Sequence, residues 1–129
     1  MPYLAIVAAL ALLEYLGISI LVGRARGKYG IKAPATSGHP VFDRTFRVHQ
    51  NTLEQLIVFL PALWLFGTYV SPTWGALLGL FFIVGRVLYV SGYIADPEKR
   101  GVGFLIGFVA NVLLLLGGLI GAVRELSGF

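Results

Sequence analysis

From Pro2 to Val22 the chain carries a single charged side chain, Glu14, and three further stretches of similar length are almost as apolar. About 20 apolar residues wound as a helix match the hydrocarbon thickness of a bilayer. Within that thickness each backbone N–H and C=O has to be bonded inside its own segment, so such a run is confined to a helix. The chain is 57% hydrophobic and only 12% charged, whereas soluble domains carry about 25% charged residues. Water is therefore not the solvent for most of its surface. The fold class expected is all-α and integral to a membrane: one domain, a four-transmembrane-helix bundle, with helices over about residues 2–23, 42–70, 74–95 and 102–123.

Basic residues follow the first span (Arg24, Arg26, Lys28) and do not precede it, the reverse of a signal peptide, so the span reads as a retained helix. Gly27–His39 has the Gly, Pro, Ser and Lys content of a loop, and Ser71-Pro72-Thr73 reads as a tight connection in which Ser71 or Thr73 caps the next helix. Pro61 falls inside the second span as a kink position. Arg24, Arg26, Lys28, Lys32, Arg44, Arg47, Lys99 and Arg100 make up most of the ten basic residues. All flank one set of helix ends, which places the first and third loops in the cytoplasm and both termini on the opposite side. A net charge of +4 with this distribution describes membrane loops, and no basic–aromatic platform for nucleic acid is present. With no cysteine, thiolate metal sites and a cysteine nucleophile are excluded, and no metal is expected.

The second span, FDRTFRVHQNTLEQLIVFLP from Phe42, contains an anomaly. Arg44, Arg47, Asn51 and Glu54 recur at a 3-4-3 spacing, which places them within roughly an 80° arc of one helix face. Ionisable groups inside a membrane face a bundle interior or a polar pocket. Glu14 precedes Arg24 by ten residues, Glu54 follows Arg44 by ten and Arg86 precedes Asp96 by ten, so all three lie roughly 15 Å in from one boundary. An ion-pair network among them is one expectation; the bland alternative to any site is that Glu14 and Arg86 simply pin helices together. Tyr89 and Tyr93 share a face with Arg86, and His49 is a further polar residue on the second helix. A cleft of this kind suits a small zwitterionic or anionic ligand carrying an amine: carboxylates to Arg44 or Arg47, the ammonium to Glu54. Arg100, at the mouth, has the chemistry to stabilise an anion such as a thiolate.

The pattern Phe42-Asp43-Arg44-x2-Arg47-x3-Asn51-x2-Glu54 followed by Phe59-Leu60-Pro61 resembles the MAPEG family, membrane-associated proteins in eicosanoid and glutathione metabolism. Gly85-Arg86-x2-Tyr89-x2-Gly92-Tyr93, with Arg100 seven residues on, resembles the third helix and following loop of that family, so the likeness spans the whole chain. It implies a homotrimer that binds glutathione between subunits. By position, Arg47, Asn51, Glu54, Tyr89 and Tyr93 would contact glutathione, with Arg26 supplied by an adjacent protomer and Arg100 holding the sulfur as a thiolate. Arg44, His49, Arg86 and Glu14 would support them. Where the leukotriene-synthase branch has Tyr after the motif glutamate, this chain has Gln55.

The leading expectation is a bacterial, microsomal glutathione transferase-like enzyme of detoxification, in which the thiolate attacks a lipophilic electrophile; peroxidase activity toward a lipid hydroperoxide would use the same thiolate. The bacterial inner membrane is favoured over the endoplasmic reticulum, with membrane lipid as a further partner and no nucleic acid. Two other classes compete: a non-enzymatic lipid-binding or regulatory membrane protein of the same family, and a small oligomeric scaffold or transporter using Glu14, Glu54 and Arg86 as a relay.

Overall fold

The computed structural model describes residues 2–128. Four long helices, α1 (Pro2–Tyr29), α2 (Pro40–Tyr69), α3 (Pro72–Ala95) and α4 (Gly101–Ser127), run up and down beside one another, with a single 3₁₀ turn at Pro97–Arg100 between the last two. No strand occurs among the described residues, and each helix is long and apolar enough to cross a membrane.

The helix ends follow local chemistry. His39 caps α2, its Nδ1 accepting from the Val41 N–H at 3.1 Å, with Pro40 at the first position where a missing N–H costs nothing. Ser71 caps α3 by accepting from the Trp74 N–H at 3.2 Å, again ahead of a proline. α1 extends to Tyr29, beyond the expected end near residue 23. Arg24, Arg26 and Lys28 are good helix formers, and cations at a helix C-terminus are favoured by the backbone dipole. The helix stops at Gly30, whose φ of 67° is open to glycine, where the Ile31 N–H returns to the Arg26 carbonyl at 3.0 Å. α4 likewise extends beyond the expected 102–123 at both ends. α2 continues through Pro61, which leaves the Ile57 carbonyl without its usual donor.

The main core is apolar and occupies the half of the bundle near the α2–α3 connection: Leu4, Val7 and Ala11 meet Leu56, Phe59, Leu63 and Phe66, with Phe82 and Leu114 completing it. Phe59 and Phe82 stack with centroids 4.0 Å apart. Glycines set how closely the helices approach. A Cβ on Gly85 would stand 2.8 Å from the Gly107 amide nitrogen, and one on Gly121 would stand 2.6 Å from the Tyr69 carbonyl oxygen. Backbone therefore packs on backbone between α3 and α4 and between α2 and α4, as small residues allow in membranes. The outer surface is a belt of exposed Leu, Ile, Val, Phe and Trp, Ile57, Trp64 and Leu105 among them, suited to lipid.

Gly85→Leu is expected to push α3 off α4 and to cost at least the ~1–3 kcal/mol typical of overpacking. Thermal unfolding in detergent, followed by circular dichroism, should show the midpoint fall; an unchanged midpoint would mean that the two backbones are not in contact.

Candidate functional site

One face of α2, the last two turns of α3 and the 3₁₀ turn enclose a cleft of about 480 Å³ lined by Arg47, Gln50, Asn51, Glu54, Tyr89, Tyr93, Pro97 and Arg100. Six of the expected residues, Arg47, Asn51, Glu54, Tyr89, Tyr93 and Arg100, therefore share one cavity wall. The helical spacing explains it: one turn of α2 separates each of Arg47, Asn51 and Glu54, and one turn of α3 separates Tyr89 from Tyr93, whose rings are 5.5 Å apart. A smaller recess of about 220 Å³ adjoins it, bounded by Asn51, Tyr89, Arg100, Gly101 and Phe104. Asn51, Tyr89 and Arg100 thus form the partition between a polar cleft and a recess whose far wall is aromatic.

The two sides of the cleft differ in exposure. Tyr89 and Tyr93 are 4% and 8% exposed, whereas Arg47, Gln50, Glu54 and Arg100 stand open at its rim. Arg47 and Tyr93 line the cleft together. Arg100 packs on Tyr93, its guanidinium carbon 5.6 Å from the ring centroid, and donates to the Pro97 carbonyl at 2.6 Å. That carbonyl, and neither flanking carboxylate, takes the Arg100 bond; Asp96 Oδ1 is used instead to accept from the Glu98 N–H and start the 3₁₀ turn.

The remaining charged and polar residues lie elsewhere. Arg44 donates through Nε to the Ile94 carbonyl at 3.1 Å, tying the start of α2 to the end of α3, so it is outside the cleft wall. Arg26 is engaged by its own loop, donating to the Ala35 carbonyl at 2.7 Å and lying over Phe42. His49 joins α2 to α1: its Nε2 is 2.9 Å from Ser19 Oγ and its ring stacks on Tyr15.

The expected ion-pair network does not form. Arg86, 1% exposed, donates to Thr52 Oγ1 at 2.7 Å and lies 4.2 Å from the centroid of Tyr89. Both carboxylate oxygens of Glu14 are buried with no hydrogen-bond partner among the described residues, and Glu54 faces the cleft. A hydroxyl and an aromatic face solvate the guanidinium more economically than two further buried ions would.

Thr52, Gln50, Phe104 and Asn111 carried no charge pattern that would single them out in sequence. Gln55, one residue beyond Glu54, is rotated about 100° away from it. It meets α4, where Asn111 donates to its Oε1 at 3.2 Å. Among the described residues no cluster of three His, Asp or Glu converges as metal ligands would.

Residues 4–120 match the model of the MAPEG family. The chain belongs to the MAPEG family. It is 48% identical to an uncharacterized protein of Synechocystis, over 97% of this chain and 93% of that one. It is 38% identical to human microsomal glutathione S-transferase 2, over 95% of this chain and 83% of the relative. Rat leukotriene C4 synthase is 36% identical over 75% of this chain and 65% of its own. Family membership and four apolar helices together make this MAPEG member a multi-pass integral membrane protein.

Thr52→Val conserves shape but removes the acceptor of a buried guanidinium, and should destabilise the MAPEG bundle by about 1.5–3 kcal/mol, the range for hydrogen bonds to charged groups. Thr52→Ser should retain most of the wild-type unfolding midpoint; equal loss in both variants would assign the effect to packing of the methyl group.

Proposed function

We propose that this protein is a glutathione transferase of the bacterial inner membrane that joins the tripeptide thiol to lipophilic electrophiles. The observation that carries this reading is the convergence of Arg47, Glu54 and Arg100 on one cleft. Glutathione has two carboxylates, one ammonium and one thiol. Arg47 suits a carboxylate, Glu54 the ammonium, and Arg100 the sulfur, with Asn51 and the Tyr89 and Tyr93 hydroxyls bonding the peptide groups between them. The sequence likeness to microsomal glutathione S-transferase 2 supports the same assignment.

Chemically, the thiol first gives its proton to solvent, and the Arg100 charge favours the resulting anion. The sulfur lone pair then forms a bond to carbon of the electrophile. The displaced electron pair departs with a leaving group, or passes to a conjugated or strained oxygen that takes a proton from water. The recess behind Arg100, with Phe104 on its far wall, suits an apolar substrate. The exposed rim calls for a second surface to close it, which favours the homotrimer, with Arg26 supplied by an adjacent protomer. A lipid hydroperoxide meeting the same thiolate would be reduced to its alcohol, with a second glutathione completing a disulfide.

Isothermal titration of glutathione into the detergent-purified protein tests the reading. Arg47→Ala and Glu54→Gln should each weaken binding by about ten- to a hundredfold; wild-type protein that binds no glutathione sinks the proposal.

Arg100→Ala should leave binding largely intact and lower turnover at neutral pH by about a hundredfold. Removing the cation raises the thiol pKa, so the lost rate should return as pH rises; a variant whose pH–rate profile overlays wild type removes Arg100 from the thiolate role.

The chain has no cysteine, so single introduced cysteines report orientation. Ala35→Cys should react with an impermeant maleimide only after the cells are opened, and Val70→Cys in intact cells. The opposite pattern would invert the topology.

A further inference from the structure

A second polar cavity, of about 540 Å³, lies at the end of the bundle away from the cleft. One wall is the end of α2, at Tyr69 and Val70; the other is a stripe of α4 in which Gly117, Gly121 and Arg124 recur at helical spacing. The glycines let α4 come close: a Cβ on Gly117 would stand 2.6 Å from Phe66 Cε2. Arg124 and Glu125, adjacent in sequence, bring a cation and an anion to the same opening. Ile120, one turn back along α4, adds exposed apolar surface beside them.

The wall formed by α2 carries charge of its own. The Val70 and Ser71 N–H groups both return to the Phe66 carbonyl, and Pro72 has no N–H to offer. The last carbonyls of α2 are thus left as the negative end of its dipole, with Tyr69 at the cavity. Several side chains fix the depth. Trp64 and Trp74 are exposed on either side of the α2–α3 connection, and Trp64 sits edge-on to the Tyr69 ring with centroids 6.4 Å apart. Tryptophan and tyrosine gather at the headgroup level of a bilayer. On α4 the exposed Leu116, Leu119, Ile120 and Val123 give way to Arg124 and Glu125 at the same level.

We propose that this cavity binds the headgroup of a phospholipid that carries both a phosphodiester and a primary ammonium, as phosphatidylethanolamine does, in the leaflet opposite the cleft. Arg124 takes the phosphate through its planar fork of donors. The ammonium lies between the Glu125 carboxylate and the end of α2, whose oxygens accept its N–H groups. A choline headgroup has no N–H to give and a glycerol headgroup brings no cation, so the paired charges select for ethanolamine. The first acyl carbons fall on Gly117 and Ile120. The site is separate from the glutathione cleft and does not depend on that reading.

The test is native mass spectrometry of the detergent-purified, delipidated protein. It is titrated with phosphatidylethanolamine, phosphatidylcholine and phosphatidylglycerol of equal acyl composition, and with soluble glycerophosphoethanolamine. Wild type should bind the ethanolamine lipid about tenfold more tightly than the other two, a comparison that needs no variant. Arg124→Gln should weaken that binding by about tenfold, the loss of one charge-assisted hydrogen bond. Glu125→Gln should bring it down to the level of phosphatidylcholine. Both side chains are exposed, so the lipid-free variants should unfold in detergent at the wild-type midpoint. Ethanolamine lipid should then raise the midpoint of wild type more than that of either variant. Equal binding of the three lipids, or an ethanolamine preference intact in Glu125→Gln, overturns the proposal and leaves Arg124 and Glu125 as a solvated helix end. Glycerophosphoethanolamine bound as tightly as the lipid also overturns it, by assigning the cavity to a soluble phosphoester.

Discussion

A guanidinium buried between helices is the constraint around which this bundle is arranged. Arg86 is 1% exposed, and a cation in that position has to be solvated by protein. Thr52 from α2 supplies an acceptor and Tyr89 from the next turn of α3 supplies a ring face. Gly107 from α4 packs beside the aliphatic stem; a Cβ there would lie in ordinary contact, 3.8 Å from Arg86 Cδ. Three helices are thus fixed in rotation by one side chain. An apolar residue could fill the volume but would not specify which face of α2 or α3 turns inward. The same rotation that gives Arg86 to Thr52 turns Asn51 and Glu54 toward Tyr89 and Tyr93 and so assembles the cleft.

The bundle divides by depth into two regimes. Around Phe59, Phe82 and Leu114 the contacts are apolar and the helices are drawn together by glycines. Around Tyr89 and Tyr93 the interior is partly aromatic and polar, and the helix ends are linked by side chain to backbone bonds, Arg44 to Ile94 and Arg100 to Pro97. In lipid the apolar half gains little from hydrophobic burial, so close backbone packing has to supply its cohesion. The polar half gains from directed bonds that lose strength where water competes. The cleft lies at the boundary, rigid on its buried tyrosine side and open on its arginine and glutamate side.

Much of this was legible from residue order alone. Four apolar spans admit little other than four helices, and the 3-4-3 spacing of Arg44, Arg47, Asn51 and Glu54 identified the polar face of α2. Spacing, however, gives angle around a helix and not the partner opposite. Arg44 shares the stripe yet is taken up by the Ile94 carbonyl, because α3 ends beside it. Equal depth of Glu14, Glu54 and Arg86 did not make them partners, since depth says nothing about which way each helix is turned. Thr52 and Asn111 were illegible for another reason: in sequence a threonine or asparagine within an apolar run carries no charge that marks its partner, and only the packed neighbour reveals its use.

The division of exposure across the cleft bears on why a chain of this size would assemble. Buried Tyr89 and Tyr93 form a finished wall, while Arg47, Gln50 and Glu54 present charged and amide groups along a helix whose other exposed residues, such as Ile57 and Trp64, are apolar. A charged strip facing hydrocarbon is costly, so in a membrane it has to meet water, a polar ligand or another polar protein surface. A neighbouring protomer set against α2 would resolve this cost and enclose the ligand in the same step. On that argument oligomerisation and ligand binding are solutions to one problem, the exposure of the arginine and glutamate side of a site whose other side is already built.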